Sequence, residues 1–178
     1  MMNIWHDIDE KRITPNEFVV CIEIAKGTKK KYELDKETGL IILDRLLHTS
    51  THYPANYGFI PKTLSGDGDA LDVLVLCSEG LDPLTLVKCY PIGVVKMLDN
   101  GKEDEKIIAI PFGDPMYNGY ERVEELPTYM ANELMHFLKV YKDLEEGKIS
   151  HVGDLLNREE ANKIILESKQ RYKETFGK

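Results

Sequence analysis

Asp67-Gly68-Asp69-Ala70-Leu71-Asp72 puts three carboxylates into six residues, directly ahead of the aliphatic run Val73-Leu74-Val75-Leu76. The run reads as a buried strand entered from a glycine-containing turn. Carboxylates crowded at the mouth of a buried strand repel one another. At roughly 5 Å and an effective dielectric near 20, each pair costs about 3 kcal/mol. A cation among them removes that cost, and an all-oxygen donor set favours a hard divalent ion such as Mg²⁺. The competing reading is a solvated surface turn, because Asp-Gly pairs are common turn formers. An EF-hand loop is excluded, since it would require Asp or Asn at 71, Gly at 72 and Glu at 78, where the chain has Leu71, Asp72 and Ser78.

A second acidic group, Asp99-Asn100-Gly101-Lys102-Glu103-Asp104, lies on a hairpin-like loop with Lys106 just beyond it. Alone it reads as a charged hairpin tip; beside the first cluster it could supply ligands to several metals at once. The third group is cationic and phenolic: Lys31 beside Glu33, Arg45, Tyr53 and Tyr57, and Tyr141-Lys142. Each has a plain reading as a solvated strand face, a core tyrosine or a lysine favoured by a helix dipole. Together they are the donors a phosphate anion needs opposite a carboxylate-bound metal cluster. The chain has no Walker-type loop and no Gly-x-Ser-x-Gly elbow, and the residues between His48 and His52 do not make a metalloprotease pattern. His136 is expected as a packed or interface residue.

The elements that must position these groups are mostly strands. Glu17 to Ala25, Lys31 to Leu34, Leu40 to Leu47, Val73 to Leu76, Leu84 to Met97 (bent near Pro91 and Gly93) and Lys106 to Ile110 all read as strands. In the second of these, Lys31 and Glu33 share one face. Tyr53 to Pro61 reads as an ordered loop or edge segment, being punctuated by Pro and Gly. Asn100-Gly101 is a hairpin signal, with flanking charges that suggest a longer loop. Strands at this spacing without alternating helices argue for a closed or nearly closed barrel. The last third is helical: Pro127 suits a first turn, and Leu126, Met130, Leu134, Phe137, Leu138 and Tyr141 keep helical spacing up to a stop at Gly147. Asn157 with Glu160 resembles a capping box before Ala161, Ile164, Ile165, Ser168 and Tyr172. The expected organisation is one domain over 1–178, with a β-barrel core at about 17–112 and helices at about 126–143 and 158–176.

The net charge is −8, which argues against non-specific binding to nucleic acid or anionic membranes. Met1 to Lys11 is polar, and no apolar run is long enough to span a membrane. Cys21, Cys77 and Cys89 are odd in number, lack Cys-x-x-Cys spacing and sit in or beside apolar runs, so reduced, buried thiols are expected. A cytoplasmic protein follows from this reading.

Taken in order, the pieces resemble the soluble inorganic pyrophosphatases of family I, the bacterial single-domain type. They are Ile22-Glu23-Ile24, Lys31-Tyr32-Glu33, Asp44-Arg45, Tyr53-Pro54-Ala55-Asn56-Tyr57-Gly58, the Asp67-to-Leu74 signature, Lys96-Met97, Asp99 with Asp104 and Lys106, and Tyr141-Lys142-Asp143-Leu144-Glu145. The resemblance implies a mainly β fold with flanking helices, a five-stranded OB-like closed barrel, and hydrolysis of pyrophosphate by a metal-activated water, driving biosynthetic reactions that release pyrophosphate. It implies several Mg²⁺ ions per site, with Mn²⁺ or Zn²⁺ able to substitute. By the same resemblance Asp67, Asp72 and Asp104 are the principal metal ligands, Asp99 holds further metal, and Glu23 and Glu33 support them. Asp69 takes the proton of the nucleophilic water, and Lys31, Arg45, Tyr57, Lys106, Tyr141 and Lys142 hold the phosphates, with Tyr53 nearby. A homohexamer is implied for bacterial members. Asn100 stands where some relatives have an acidic residue, and Val140 where some carry a second interface histidine. The rival readings are a non-catalytic OB-like binding module, which would want a basic groove, and a Mg²⁺-dependent hydrolase of other polyphosphates.

Overall fold

The computed structural model describes residues 2–177. The chain opens with a one-turn helix α1 (Ile4–Asp7), followed by strands β1 (Phe18–Ile24), β2 (Lys30–Leu34), β3 (Ile41–Leu46), β4 (Asn56–Ile60), β5 (Leu71–Val75), β6 (Leu86–Asp99), β7 (Lys102–Glu103) and β8 (Lys106–Pro111). Helix α2 (Thr128–Val140), strand β9 (Ser150–Leu156) and helix α3 (Arg158–Phe176) complete it. The architecture is mainly β-sheet with a few helices. The larger sheet runs β1-β4-β5-β8-β6-β7, and β9 adds to β6. Because β6 also pairs with β1, the pairings run round from β1 through β4, β5, β8 and β6 back to β1. The hairpin β2–β3 forms a separate two-stranded sheet.

Alternation along β5 and β8 sends their side chains into two of the three core clusters. Val73 and Val75 of β5 and Ile107 and Ala109 of β8 pack with Ala161, Ile164 and Ile165 of α3. Leu74 of β5, Leu76 and Ile108 and Ile110 of β8 pack with Leu134, Phe137 and Leu138 of α2. A strand covered on both faces has no solvent side to mark with polar residues, which is why β5 and β8 read as continuous apolar runs. Each large aliphatic side chain so buried contributes about 1.5–3 kcal/mol.

Several features differ from the sequence expectation. First, Asn56–Ile60 is not a loop or edge segment but a strand paired on both sides, with Phe59 opposite Cys21 of β1 and Asp72 of β5. Pro54 and Pro61 lie just outside it, and Gly58 is what the interior needs: a Cβ there would lie 2.0 Å from the Cys21 carbonyl oxygen. Buried Asn56 secures the strand's start, its Oδ1 accepting from the backbone N–H of Lys26 and Leu81 at 2.9 and 2.8 Å. Second, α2 is shorter than 126–143. Pro127 is its N-cap rather than part of the first turn, Tyr141 is its C-cap, and His136 is exposed rather than packed within the chain. Third, α1 and β9 carry no clear periodic signal and were not expected. At α3, the Asn157 side chain accepts from Glu160 N–H at 3.0 Å, but the Glu160 carboxylate pairs with Lys96 of β6 at 3.1 Å instead of closing a capping box.

The bend in β6 is real, with a register shift against β8 between Pro91 and Gly93. The Asn100-Gly101 turn is a tight two-residue hairpin between Asp99 and Lys102, not the longer loop its flanking charges suggested, with both turn residues at positive φ (49° and 80°). All three cysteines are free and buried, and burial pushes the Cys21 thiol up to about 12. Among the described residues no helix is long and apolar enough to cross a membrane.

Candidate active site

One open cavity of about 310 Å³ gathers side chains from across the chain. Glu23 comes from the end of β1, where a register shift against β4 sits between Ile22 and Ile24. Lys31 and Glu33 come from one face of β2, and Tyr57 from β4. Asp67 and Asp69 come from the loop before β5, and Asp72 from β5 itself. Asp99 and Asp104 flank the β6–β7 hairpin, Lys106 opens β8, and Tyr141 and Lys142 close α2. The register of the parallel β5–β8 pair places Asp72 opposite Lys106. Gly66 lets the Asp67 loop approach the hairpin, since a Cβ there would lie 2.9 Å from Glu103 Cβ. Within the loop Gly68 is at φ 93°, Ser65 N–H donates to Asp69 O at 2.7 Å, and Asp69 N–H donates to Asp67 Oδ1 at 3.0 Å.

Buried charge dominates the site. Lys106 Nζ lies 2.6 Å from both Asp72 Oδ2 and Asp104 Oδ1, an ammonium bridging two carboxylates. Burial works against ionisation of Lys106, but the two carboxylates outweigh it and hold the ammonium well above its usual range. Asp72 is pushed up by burial despite Lys106, whereas at Asp104 the Lys106 ammonium overcomes burial and the carboxyl stays low. Asp67 is pushed up to about 7 by burial and by the neighbouring Asp104 and Asp72. Glu23, only 8 % exposed, is pushed up to about 8 by burial and by Asp72, even though its Oε1 accepts from Leu34 N–H at 2.9 Å. Tyr57 stays a phenol, raised by burial and then by Asp72. Lys31 pairs with Glu33, and lies 3.4 Å from Asp44; Lys142 Nζ lies 3.3 Å from Asp99 Oδ2.

These groups suit a hard divalent cation. Glu23, Asp67 and Asp72 are held towards protonation by burial and then by neighbouring carboxylates, and Asp99 Oδ1 is buried with no hydrogen-bond partner. Among the described residues no three His, Cys, Asp or Glu side chains converge tightly enough to enclose an ion alone.

The family model described as inorganic pyrophosphatase matches residues 20–173. The chain belongs to the inorganic pyrophosphatase family. It is 46 % identical over 173 residues to soluble inorganic pyrophosphatase 2 of Chlamydomonas reinhardtii, covering 97 % of this chain and 89 % of that protein. The inorganic pyrophosphatase of Caulobacter vibrioides is 41 % identical over 165 residues, covering 91 % and 93 % respectively. The crystal structure of inorganic pyrophosphatase from Thermus thermophilus matches with a TM-score of 0.92 at 33 % identity, over 97 % of this chain and 99 % of that one.

Within this pyrophosphatase fold most of the residues singled out from sequence line the one cavity. Arg45 and Tyr53 do not. Arg45, across the β2–β3 pair from Lys31, has its guanidinium against Asp44, and its Nε lies 2.8 Å from Glu145 Oε1. Tyr53 is buried in the core, edge-on to Tyr57 with centroids 5.6 Å apart and tilted on Phe137 at 4.8 Å. It supports the ring that faces the cavity. Sequence reasoning missed Lys36, which lines the cavity and pairs with Asp69, and Trp5 of α1 beside it. Lys36 stands in a charged turn where no spacing distinguishes it from its neighbours.

Proposed function

We propose that this chain hydrolyses inorganic pyrophosphate to two phosphates, with water as nucleophile. The observation that carries the reading is the single cavity in which Asp67, Asp72, Asp99 and Asp104 face Lys31, Lys106, Lys142, Tyr57 and Tyr141. Asp67, Asp72, Asp99 and Asp104 hold Mg²⁺, several ions per site, with Glu23 and Glu33 as supporting carboxylates. When bound, Mg²⁺ lowers the pKa of a water and offsets charge building on the phosphoryl oxygens. Asp69 takes the proton of the attacking water as the new phosphorus–oxygen bond forms. The bridging phosphorus–oxygen bond breaks, and the leaving phosphate carries away its electron pair. Lys31, Lys106, Lys142, Tyr57 and Tyr141 orient the two phosphates, and Arg45 joins them by exchanging its carboxylate partners for phosphate. No side-chain nucleophile is needed.

The ring of strand pairings supports reading the sheet as a five-stranded OB-like closed barrel flanked by helices, in one domain over 1–178. The lack of an apolar span and the reduced thiols support a cytoplasmic location, and the kinship with bacterial pyrophosphatases supports a homohexamer. The test is phosphate release from pyrophosphate with and without Mg²⁺, with ATP and long-chain polyphosphate in parallel. Release from pyrophosphate that requires Mg²⁺ is expected; none at any Mg²⁺ concentration overturns the proposal. Asp69→Asn is expected to keep fold and metal binding while losing turnover by about 10²–10⁴-fold, and full turnover in it removes Asp69 from the base role.

A further inference from the structure

Asp69 is fixed by its backbone but not by its fold environment. Its N–H and C=O are both bonded within the loop, yet 58 % of its side chain is exposed. A carboxylate in that setting samples several rotamers, and a proton acceptor is effective in only those that face the water it deprotonates. One ammonium restricts it: Lys36, on the turn between β2 and β3, pairs with Asp69 Oδ1.

Lys36 is itself held from behind by the N-terminal segment. Its Nζ lies 5.1 Å from the ring centroid of Trp5, and its carbonyl oxygen accepts from Asn3 Nδ2 at 2.9 Å. Trp5 is buried, its Nε1–H donates to Thr63 O at 2.8 Å, and its own carbonyl accepts from Lys62 N–H at 2.9 Å. Thr63 and Lys62 begin the segment that leads from β4 to Asp67 and Asp69. The same indole is therefore bonded to the loop that carries Asp69 and stacked beneath the lysine that pairs with it.

We propose that Lys36, seated on Trp5, is a positioning residue that selects the side-chain rotamer of Asp69. The proposal rests on reading Asp69 as the proton acceptor. Lys36 acts through Asp69 and is not required to touch substrate. An exposed ion pair adds little to stability, so removing it should change turnover more than folding.

The test compares wild type with Lys36→Met, Lys36→Arg, Asp69→Asn and the Lys36→Met/Asp69→Asn double variant, by steady-state hydrolysis of pyrophosphate with Mg²⁺. Lys36→Met is expected to lower kcat about fivefold, the scale on which an exposed ion pair biases a rotamer, with KM unchanged. Lys36→Arg should recover most of the loss, and adding Lys36→Met to Asp69→Asn should cost nothing further. Trp5 is the chain's one tryptophan, so its emission in metal-free protein reports the same contact. The spectrum should shift in Lys36→Met and stay near wild type in Lys36→Arg. Wild-type kcat in Lys36→Met, a loss carried by KM, an equal loss on top of Asp69→Asn, or unchanged emission overturns the proposal. Full turnover in Asp69→Asn removes the base assignment and this proposal with it. A wild-type-like Lys36→Met beside a crippled Asp69→Asn removes this proposal alone.

Discussion

Glu23 makes the strongest quantitative prediction, because its burial should set how the metal-free protein responds to pH. Burial, and then Asp72, keep its carboxyl protonated up to about 8, against an ordinary value of 4.5. Between those two values the native state keeps a proton that the unfolded chain has released, so stability must fall as pH rises through the interval. The cost is about 1 kcal/mol near pH 5 and about 4 kcal/mol near pH 8, a difference of about 3 kcal/mol. For a chain of this size that corresponds to about 6–12 °C in Tm. Glu23→Gln keeps an oxygen to accept from Leu34 N–H and removes the titration. The assay is thermal unfolding of both proteins in chelator from about pH 5 to about pH 8. The wild-type Tm should fall relative to that of the variant by about 10 °C, leaving Glu23→Gln the more stable at the alkaline end. Millimolar Mg²⁺ should raise the wild-type Tm more at the alkaline end, since an ion competes with the retained protons. Parallel curves for the two proteins in chelator would refute the reasoning.

Gly58→Ala should cost about 3 kcal/mol or more, because a Cβ 2.0 Å from the Cys21 carbonyl oxygen must force β1 and β4 apart; a urea midpoint close to wild type would contradict the close approach. Gly66→Ala should weaken Mg²⁺ binding in titration calorimetry with little change in Tm, since Glu103 Cβ at 2.9 Å leaves no room and the Asp67 loop must withdraw from the hairpin bearing Asp104. Unchanged affinity would show that the two loops do not share ions. Asp72→Ala should weaken the same binding and leave Lys106 paired with Asp104 alone; wild-type affinity would count against Asp72 as a ligand.

The site was more legible in the sequence than the frame that holds it. Acidic and cationic groups were identifiable because charge beside apolar strands is expensive, and that expense is local enough to see in Asp67 to Leu76. The helical face of α3 was legible for a similar reason, since Ala161, Ile164, Ile165, Ser168 and Tyr172 are its buried residues. The strand β4 was not, because its fitness depends on a partner: Gly58 looks like a breaker until β1 is placed against it. Strand β9 has no buried residue, no strict alternation of exposure and a Ser, a His, a Gly and an Asp among its seven residues, and it forms through backbone pairing with β6. Helix α1 is a single turn capped by Asn3, and its importance lies in where Trp5 lands. Lys36 escaped notice because an ion pair between residues 33 positions apart leaves no spacing to find.

Charge balance explains why the cation set alone does not make this a phosphate site. Seven carboxyls and four lysines line the cavity, a formal −3 when all are ionised. Retained protons on Glu23 and Asp67 reduce that deficit but do not reverse it. A polyphosphate anion entering such a cavity meets net repulsion, whatever hydrogen bonds Tyr57 and Tyr141 offer. Lys106 illustrates the constraint, since its ammonium is already committed to Asp72 and Asp104 at 2.6 Å each. Divalent ions change the sign of the balance: two would bring +4 and leave the lysines surplus to the carboxylates. On the proposed reading the carboxylates are therefore part of substrate recognition, because the anion binds to what they hold.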